Sequence, residues 1–268
     1  MIKLLPEVCA IAAEAGRLIE ALRRGDLETA EKDDRSLVTR ADRQADAFLK
    51  AELTALLPAG WLSEETADDH ARLGHRRLWI VDPLDGTREF VEGVPEYSIA
   101  IALVEDGCPS LGVVHNPATG ETFSAARGAG AFRNDQPIQV QERDVMLASR
   151  SEARGGEFAP FGDWNLVPVG SIQLKLALVA AGAGAVTVSR GPKWEWDVCA
   201  GALIVAEAGG IATDVLGRPL RYNQPFPKVR GVLAGAPAAH DRVRRTVAVV
   251  GVSGRMDELD RPPADRRR

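Results

Sequence analysis

The segment from Leu78 to Phe90, Leu-Trp-Ile-Val-Asp-Pro-Leu-Asp-Gly-Thr-Arg-Glu-Phe, constrains the fold more than any other part of the chain. Leu78 to Val81 form a short apolar run closed by Asp82-Pro83. This is the pattern of a buried strand that stops at Asp82, because Pro83 has no amide hydrogen with which to continue a ladder. Gly86 permits a positive φ, and Thr87 to Phe90 can open a short helix. Two carboxylates, peptide carbonyls and helix-start amides are thereby crowded at one strand end. Such a spot repels itself unless a cation fills it, and oxygen-only ligands favour a hard ion such as Mg²⁺. The amides of Gly86 and Thr87 would face an anion, most naturally a phosphate. An ordinary surface turn carries the same dipeptides, so this segment alone leaves both readings open.

The flanking sequence supplies the layers around that strand. Leu4, Val8, Ile11, Ala15, Leu18 and Leu22 recur at helical spacing and predict an amphipathic core helix ending near Gly25. After a charged loop over Asp26 to Arg35, expected to be mobile, Leu37 to Asp42 open a second helix that Pro58 terminates. Asp42 lies in its first turn, where a carboxylate is favoured as a cap. Glu64-Glu65 follow a short apolar segment, where adjacent acids are ordinarily a solvated loop. Tyr97 to Val104 read as a strand covered on both faces. A hairpin is expected around Asn116-Pro117-Ala118-Thr119-Gly120, and a second around Asn134-Asp135 with Ala131-Phe132 and Ile138 to Val140 as its arms.

The second half changes character. Strands are expected at Val145 to Ala148, Leu166 to Val169, Val186 to Val188 and Arg230 to Leu233, and helices at Ile172 to Ala181 and Pro237 to Val250. Between them Asp197 is read as opening a buried helix that ends at Gly209-Gly210, either as a cap or as a functional acid.

Composition narrows the function. A net charge of −5 argues against stable nucleic-acid binding, which needs a basic field, yet leaves a phosphorylated small molecule open as partner. Cys9, Cys108 and Cys199 are scattered and odd in number, as suits a reducing cytoplasm. No segment approaches a membrane span.

Each acid is ambiguous alone, but their order is informative: Asp42 near a helix start, Glu64-Glu65, Asp82-Pro83-Leu84-Asp85-Gly86-Thr87, then Trp196-Asp197-Val198-Cys199-Ala200-Gly201. This set resembles the inositol monophosphatase superfamily of Mg²⁺-dependent, lithium-sensitive phosphatases. The resemblance implies an α+β fold, a layered αβαβα sandwich. It also implies a single phosphatase domain over 1–253, with halves 1–143 and 144–253, and a possible homodimer, while the tail over 254–268, rich in Arg, Asp and Pro, is expected to be disordered from its composition.

Arg88-Glu89-Phe90, Ser149-Arg150-Ser151, Gly170-Ser171 with Lys175, and Gly191-Pro192 before Glu195-Trp196-Asp197 are most similar to the bacterial 3'(2'),5'-bisphosphate nucleotidases of the CysQ type. Those enzymes remove the 3'-phosphate of 3'-phosphoadenosine 5'-phosphate, a by-product of sulfate assimilation. Ile172-Gln173-Leu174, Lys193-Trp194 and Cys199 depart from the pattern, which bears on substrate choice and not on the metal chemistry.

What the resemblance implies for the site is specific. Glu64, Asp82 and the Leu84 carbonyl would hold one Mg²⁺, and Asp82, Asp85 and Asp197 a second, with Mn²⁺ as a possible substitute. A third, weaker ion would arrive with substrate beside Glu64. Glu65 would support Glu64, and Thr87 with Asp42 would orient and deprotonate the attacking water. Gly86, Thr87 and Lys175, with Glu64, Leu84, Asp85 and Asp197, would contact substrate. Arg150, Lys193 and Trp194 could meet a second phosphate or a base. The alternatives are an inositol-1-monophosphatase or fructose-1,6-bisphosphatase-like enzyme, or a regulatory, RNA-associated partner on the same fold.

Overall fold

The computed structural model describes residues 1–23, 29–31 and 37–252. Helices α1 (Leu5–Arg23) and α2 (Arg40–Leu56) form the first layer, with the short pair β1 (Ala30–Glu31) and β2 (Leu37–Val38) between them. The buried stripe of α1 is Leu5, Val8, Ala12, Ala15 and Ile19, partly offset by one residue from the expected one, so Leu4, Ile11 and Leu22 pack only at its margin. Leu37 and Val38 form a strand before the helix, and Thr39 caps it.

The second layer is a seven-stranded sheet in chain order: β3 (Gly60–Ser63), β4 (Arg77–Asp85), β5 (Ser98–Glu105), β6 (Cys108–Asn116), β7 (Glu121–Ala126), β8 (Ala131–Arg133) and β9 (Gln136–Ile138). Only β3 and β4 run parallel. Period-two alternation sends Trp79, Val81, Ile99, Ile101, Leu103 and Val113 toward α1 and α2, and Leu78, Ile80, Ala100, Ala102 and Val114 to the opposite face. Both sets are buried, which explains why these strands read as unbroken apolar runs. The short helix α3 (Thr87–Glu92) joins β4 to β5.

A five-stranded sheet of β10 (Val145–Ser149), β11 (Asn165–Val169), β12 (Val186–Ser189), β14 (Ile211–Thr213) and β16 (Val232–Gly235) forms the fourth layer. Its order is β11-β10-β12-β16-β14, parallel through the first three strands and antiparallel beyond. Helices α5 (Ile172–Ala180) and α6 (Cys199–Glu207) lie between the sheets and are buried nearly all round. Gly112 permits this: a Cβ there would stand 2.9 Å from the Ala200 carbonyl oxygen. Helix α7 (Pro237–Val250) covers the outer face, completing the αβαβα order. Helix α4 (Arg150–Arg154) and the pair β13 (Lys193–Trp194) and β15 (Lys228–Val229) border the site.

Several boundaries differ from expectation for physical reasons. Strand β4 does not stop at Asp82 but continues to Asp85, because pairing with β5 skips from Asp82–Ala100 to Asp85–Ser98. Pro83 falls in that irregularity, where no ladder hydrogen is required. Asp197 precedes its helix, which starts at Cys199. The second hairpin ends at Ile138, and the Val140 amide goes instead to the Ala208 carbonyl. The late strand begins at Val232, after Gly231 turns the chain. Ser149 both ends β10 and, through its hydroxyl, caps the helix that Arg150 and Ser151 open. The expected Asp26–Arg35 loop falls largely, and the 254–268 tail wholly, outside the described residues.

Candidate active site

Where β4 breaks register, it delivers Asp82, Leu84, Asp85, Gly86 and Thr87 to one cavity of about 320 Å³, whose wall also includes Glu64, Arg88, Glu89, Ser151 and Asp197. The four acids predicted as ligands therefore meet from three separated stretches of chain. Asp82 Oδ1 accepts from the Leu84 amide at 3.1 Å, which fixes the carboxylate across the irregularity. Asp85 Oδ2 accepts from the Ser171 hydroxyl and, at 2.6 Å, from the Gln173 amide at the start of α5. Asp197 Oδ2 accepts from the Trp194 amide at 2.8 Å. Each of these three acids is thus anchored through one oxygen only, and among the described residues no donor reaches the other.

The electrostatics follow chiefly from burial, with crowding adding to it at Asp82 and Asp197. Burial and the neighbouring Glu64, Asp85 and Asp197 push the Asp82 carboxyl far above its ordinary range. Burial raises Asp85 against the pull of its two donors, and pushes Asp197 up to about 7 with Lys193 opposing. The carboxylates face one space without closing it: among the described residues, no three His, Cys, Asp or Glu side chains stand together as a ready metal-binding group. The fit to Mg²⁺ is one of donor chemistry. Oxygen donors alone, with Asp82, Asp85 and Asp197 each keeping one oxygen free of donors among the described residues and each disfavoured as an anion by burial, suit a hard divalent cation.

Asp42 answers both readings of its position. Its Oδ2 accepts from the Thr39 amide at 2.7 Å and the Thr39 hydroxyl at 2.6 Å, forming the capping box of α2. Its Oδ1 faces the Thr87 hydroxyl at 3.0 Å, and the same hydroxyl lies 3.1 Å from the Leu84 carbonyl. Burial raises the Asp42 carboxyl, with the Thr39 and Thr87 donors opposing. Gly86, at φ +92°, lets the chain turn from β4 into α3 and so places Thr87.

The turn carrying Glu64 and Glu65 is held by a residue that sequence reasoning passed over. Buried Asp46, one helical turn beyond Asp42, accepts from the Ser63 hydroxyl and, at 2.7 Å, from Thr66. The four-residue spacing from Asp42 was the available signal. Glu64 lines the cavity, whereas Glu65 lies outside its lining. Gln173 was also missed as a functional group. Fully buried, it donates to the Trp196 carbonyl at 2.6 Å and accepts from the Gly201 amide at 2.8 Å, locking the Asp197 segment to α5.

A second cavity of about 240 Å³ shares Asp85, Gly86, Glu89, Ser151 and Asp197 with the first. Lys175, Arg150 and Lys193 all line it. The Lys175 ammonium is buried on the carbonyls of Val169, Gly170 and Ser171, and burial lowers it to about 8. Trp194 stacks on Trp196 with centroids 4.8 Å apart and borders a different recess, beyond Glu64.

Known proteins resemble this chain in sequence and fold. The sequence profile of the inositol monophosphatase family matches residues 3–250. A histidinol-phosphatase of Chlorobaculum parvum is 36% identical over 221 residues, 78% of this chain and 84% of the relative. The 3'(2'),5'-bisphosphate nucleotidase CysQ of Escherichia coli K12 is 35% identical over 233 residues, 82% of this chain and 94% of the relative. Among solved structures, a Thermotoga maritima IMPase superposes with a TM-score of 0.80 at 32% identity, covering 93% of this chain and 98% of that one.

Proposed function

The chain belongs to the inositol monophosphatase family, a family of phosphatases, and from that premise we propose that it is a Mg²⁺-dependent 3'(2'),5'-bisphosphate nucleotidase acting on 3'-phosphoadenosine 5'-phosphate. The observation that carries the reading is the single cavity uniting Glu64, Asp82, the Leu84 carbonyl, Asp85, Thr87 and Asp197. Glu64, Asp82, Leu84, Asp85 and Asp197 would hold two ions, a third joining with substrate beside Glu64. When bound, such ions neutralise phosphate charge and acidify water.

The chain's own groups perform the rest. Thr87 Oγ1 stands between Asp42 Oδ1 and the Leu84 carbonyl, so it can pass its proton to Asp42 as it takes one from the attacking water. The raised Asp42 carboxyl is suited to accept that proton. Glu65, in the same turn as Glu64, supports it from outside the cavity. The Gly86 and Thr87 amides start α3 and orient the phosphate. Water attacks in line, the phosphorus–oxygen bond to the leaving group breaks, and no phosphoenzyme forms.

The nucleotidase assignment is supported by the similarity to CysQ over most of that enzyme's length. It is also supported by the placement of Glu89, Ser149, Arg150, Ser151, Gly170, Ser171 and Lys175 around the second cavity. The test is phosphate release from adenosine 3',5'-bisphosphate, myo-inositol 1-phosphate, fructose 1,6-bisphosphate and L-histidinol phosphate, with and without Mg²⁺. Highest kcat/KM on the nucleotide, abolished by chelation, is expected. Preference for one of the others moves the assignment to that substrate, and Mg²⁺-independent binding to a protein or RNA without phosphate release overturns it.

A further inference from the structure

Glu64 and Asp197 reach the ion-holding set from distant stretches of chain, and the recess beyond Glu64, of about 340 Å³, separates those stretches. Glu64, Thr66 and Asp68 line it from the turn after β3, and Trp196, Pro225 and Phe226 from the later segments. An open recess has no packed side chains across it, so the spacing of its walls must be fixed from behind. Asp46 secures the Glu64 turn to α2 through the Ser63 and Thr66 hydroxyls, but it does not touch the Asp197 side.

The link between the two sides is Arg72, which is only 2% exposed and stands outside the recess lining. Its Nε donates to Asp68 Oδ1 at 3.0 Å and its Nη2 to Asp68 Oδ2 at 2.7 Å, a bidentate pair within the turn that Glu64 begins. The other edge of the guanidinium reaches the loop between β14 and β15. There Nη1 donates to Asn223 Oδ1 at 2.8 Å and Nη2 to the Gln224 carbonyl at 2.9 Å. The backbone amides of these same two residues donate to the fully buried Glu195 carboxylate at 2.8 and 2.9 Å. The Glu195 amide in turn donates to the Pro227 carbonyl at 2.8 Å, so the segment that carries Asp197 is tied to this loop at both backbone and side chain. A continuous path of hydrogen bonds thus runs from the Glu64 turn through Asp68, Arg72, Asn223 and Gln224 to Glu195, without passing through the ion-holding acids.

An ion pair buried this deeply adds little net stability over apolar side chains of the same volume, whereas a planar fork with four donors engaged admits one arrangement of its partners. We propose that Arg72 is a positioning residue that sets the separation of Glu64 and Asp197, and so holds the ion cradle at its working spacing before any ion binds. The proposal rests on the phosphatase reading above and adds to it a determinant of ion affinity that lies outside the cavity. Groups that orient metal ligands without touching the metal are worth about tenfold or more in metal affinity.

The experiment titrates Mg²⁺ calorimetrically into the full-length protein and three variants, at a temperature where circular dichroism shows each to be folded. Arg72→Lys keeps the charge and loses the fork. Asn223→Gly removes one acceptor of the fork at a residue with φ +61°, which glycine adopts freely, and leaves the backbone amide on Glu195. Val243→Ala opens a void in the outer cluster under α7 and controls for lost stability alone. The expected Mg²⁺ affinity is about tenfold weaker in Arg72→Lys and about threefold weaker in Asn223→Gly. Val243→Ala should bind as the parent does despite a lower melting temperature. In phosphate release, the half-saturating Mg²⁺ concentration of Arg72→Lys should rise by the same factor with kcat at saturating Mg²⁺ within threefold, a split that a shortage of folded protein would not produce. Parental Mg²⁺ affinity in folded Arg72→Lys, or a weakening no greater than that of Val243→Ala, overturns the proposal. Where Arg72→Lys does not fold, Asn223→Gly decides, and unchanged affinity there overturns it. A parent protein that takes up no Mg²⁺ sinks the phosphatase reading together with the proposal, whereas a parent that binds Mg²⁺ and variants that match it sink the role of Arg72 alone.

Discussion

Removing charge from Asp85 without removing its hydrogen-bond geometry separates chemistry from folding. In Asp85→Asn the amide oxygen can still accept from Ser171 and the Gln173 amide, while the ligand charge is lost. We expect kcat to fall about 100-fold or more with the melting temperature within a few degrees of the parent, read by phosphate release and thermal denaturation. Near-parental activity at saturating Mg²⁺ would refute its place in the ion-holding set. Thr87 offers the complementary test: Thr87→Ala should lose about 10²–10⁴ in kcat, whereas Thr87→Ser, which keeps the hydroxyl facing Asp42, should retain most of it. At this scale the acids were legible as candidates because the chemistry demands a residue type at a strand end, and Asp82, Asp85 and Asp197 line one cavity. Asp46 and Gln173 were not legible, because their work lies in partners 17 to 28 residues away that no local pattern reveals.

Elements read well where one period dominated and poorly where tertiary contacts set the end. The apolar run of β4 signalled a buried strand, and that of β5 a strand covered on both faces. The short strands β13, β14 and β15 and the five-residue α4 left too little periodicity to detect. The seam between α5 and α6 shows how elements position the site. Gln173 spans it, and Gln173→Leu would leave the Trp196 carbonyl and Gly201 amide buried without partners. Each such group costs about 1–3 kcal/mol, so we expect urea denaturation to show a loss of about 2–5 kcal/mol. Because the Asp197 segment hangs from this seam, Mg²⁺ affinity measured by calorimetry should weaken as well. A loss of stability with unaltered ion affinity would mean that the seam does not align Asp197.

For the molecule as a whole, stacked layers were foreseeable from the order of helical and alternating patterns, since each apolar face must be covered by another, and their αβαβα order from the family resemblance. What the order of patterns did not give was the close fit between layers, and His115 marks one such fit. It ends the pairing of β5 with β6, its Nδ1 lies 2.9 Å from the Thr122 hydroxyl, and its ring packs where α1 crosses at Gly16. Burial, with Arg17 adding to it, lowers its pKa from 6.5 to about 4, so the folded protein keeps this imidazole neutral. Between those two values the unfolded chain binds a proton that the folded one does not. The contribution is therefore complete above pH 6.5 and lost as pH falls toward 4. Its upper size is about 3 kcal/mol, because a tenfold difference in proton affinity corresponds to about 1.4 kcal/mol. The buried acids run the other way, since carboxyls raised by burial gain stability on protonation, and a single melting curve would mix the two. The comparison of the parent with His115→Gln removes the shared acid contribution. The stability advantage of the parent in urea should shrink by about 2–3 kcal/mol between about pH 7.5 and pH 4.5. An advantage that stays constant across that range would mean that His115 takes up its proton in the folded state as readily as in the unfolded one, and that the junction of α1 with the large sheet is open to water.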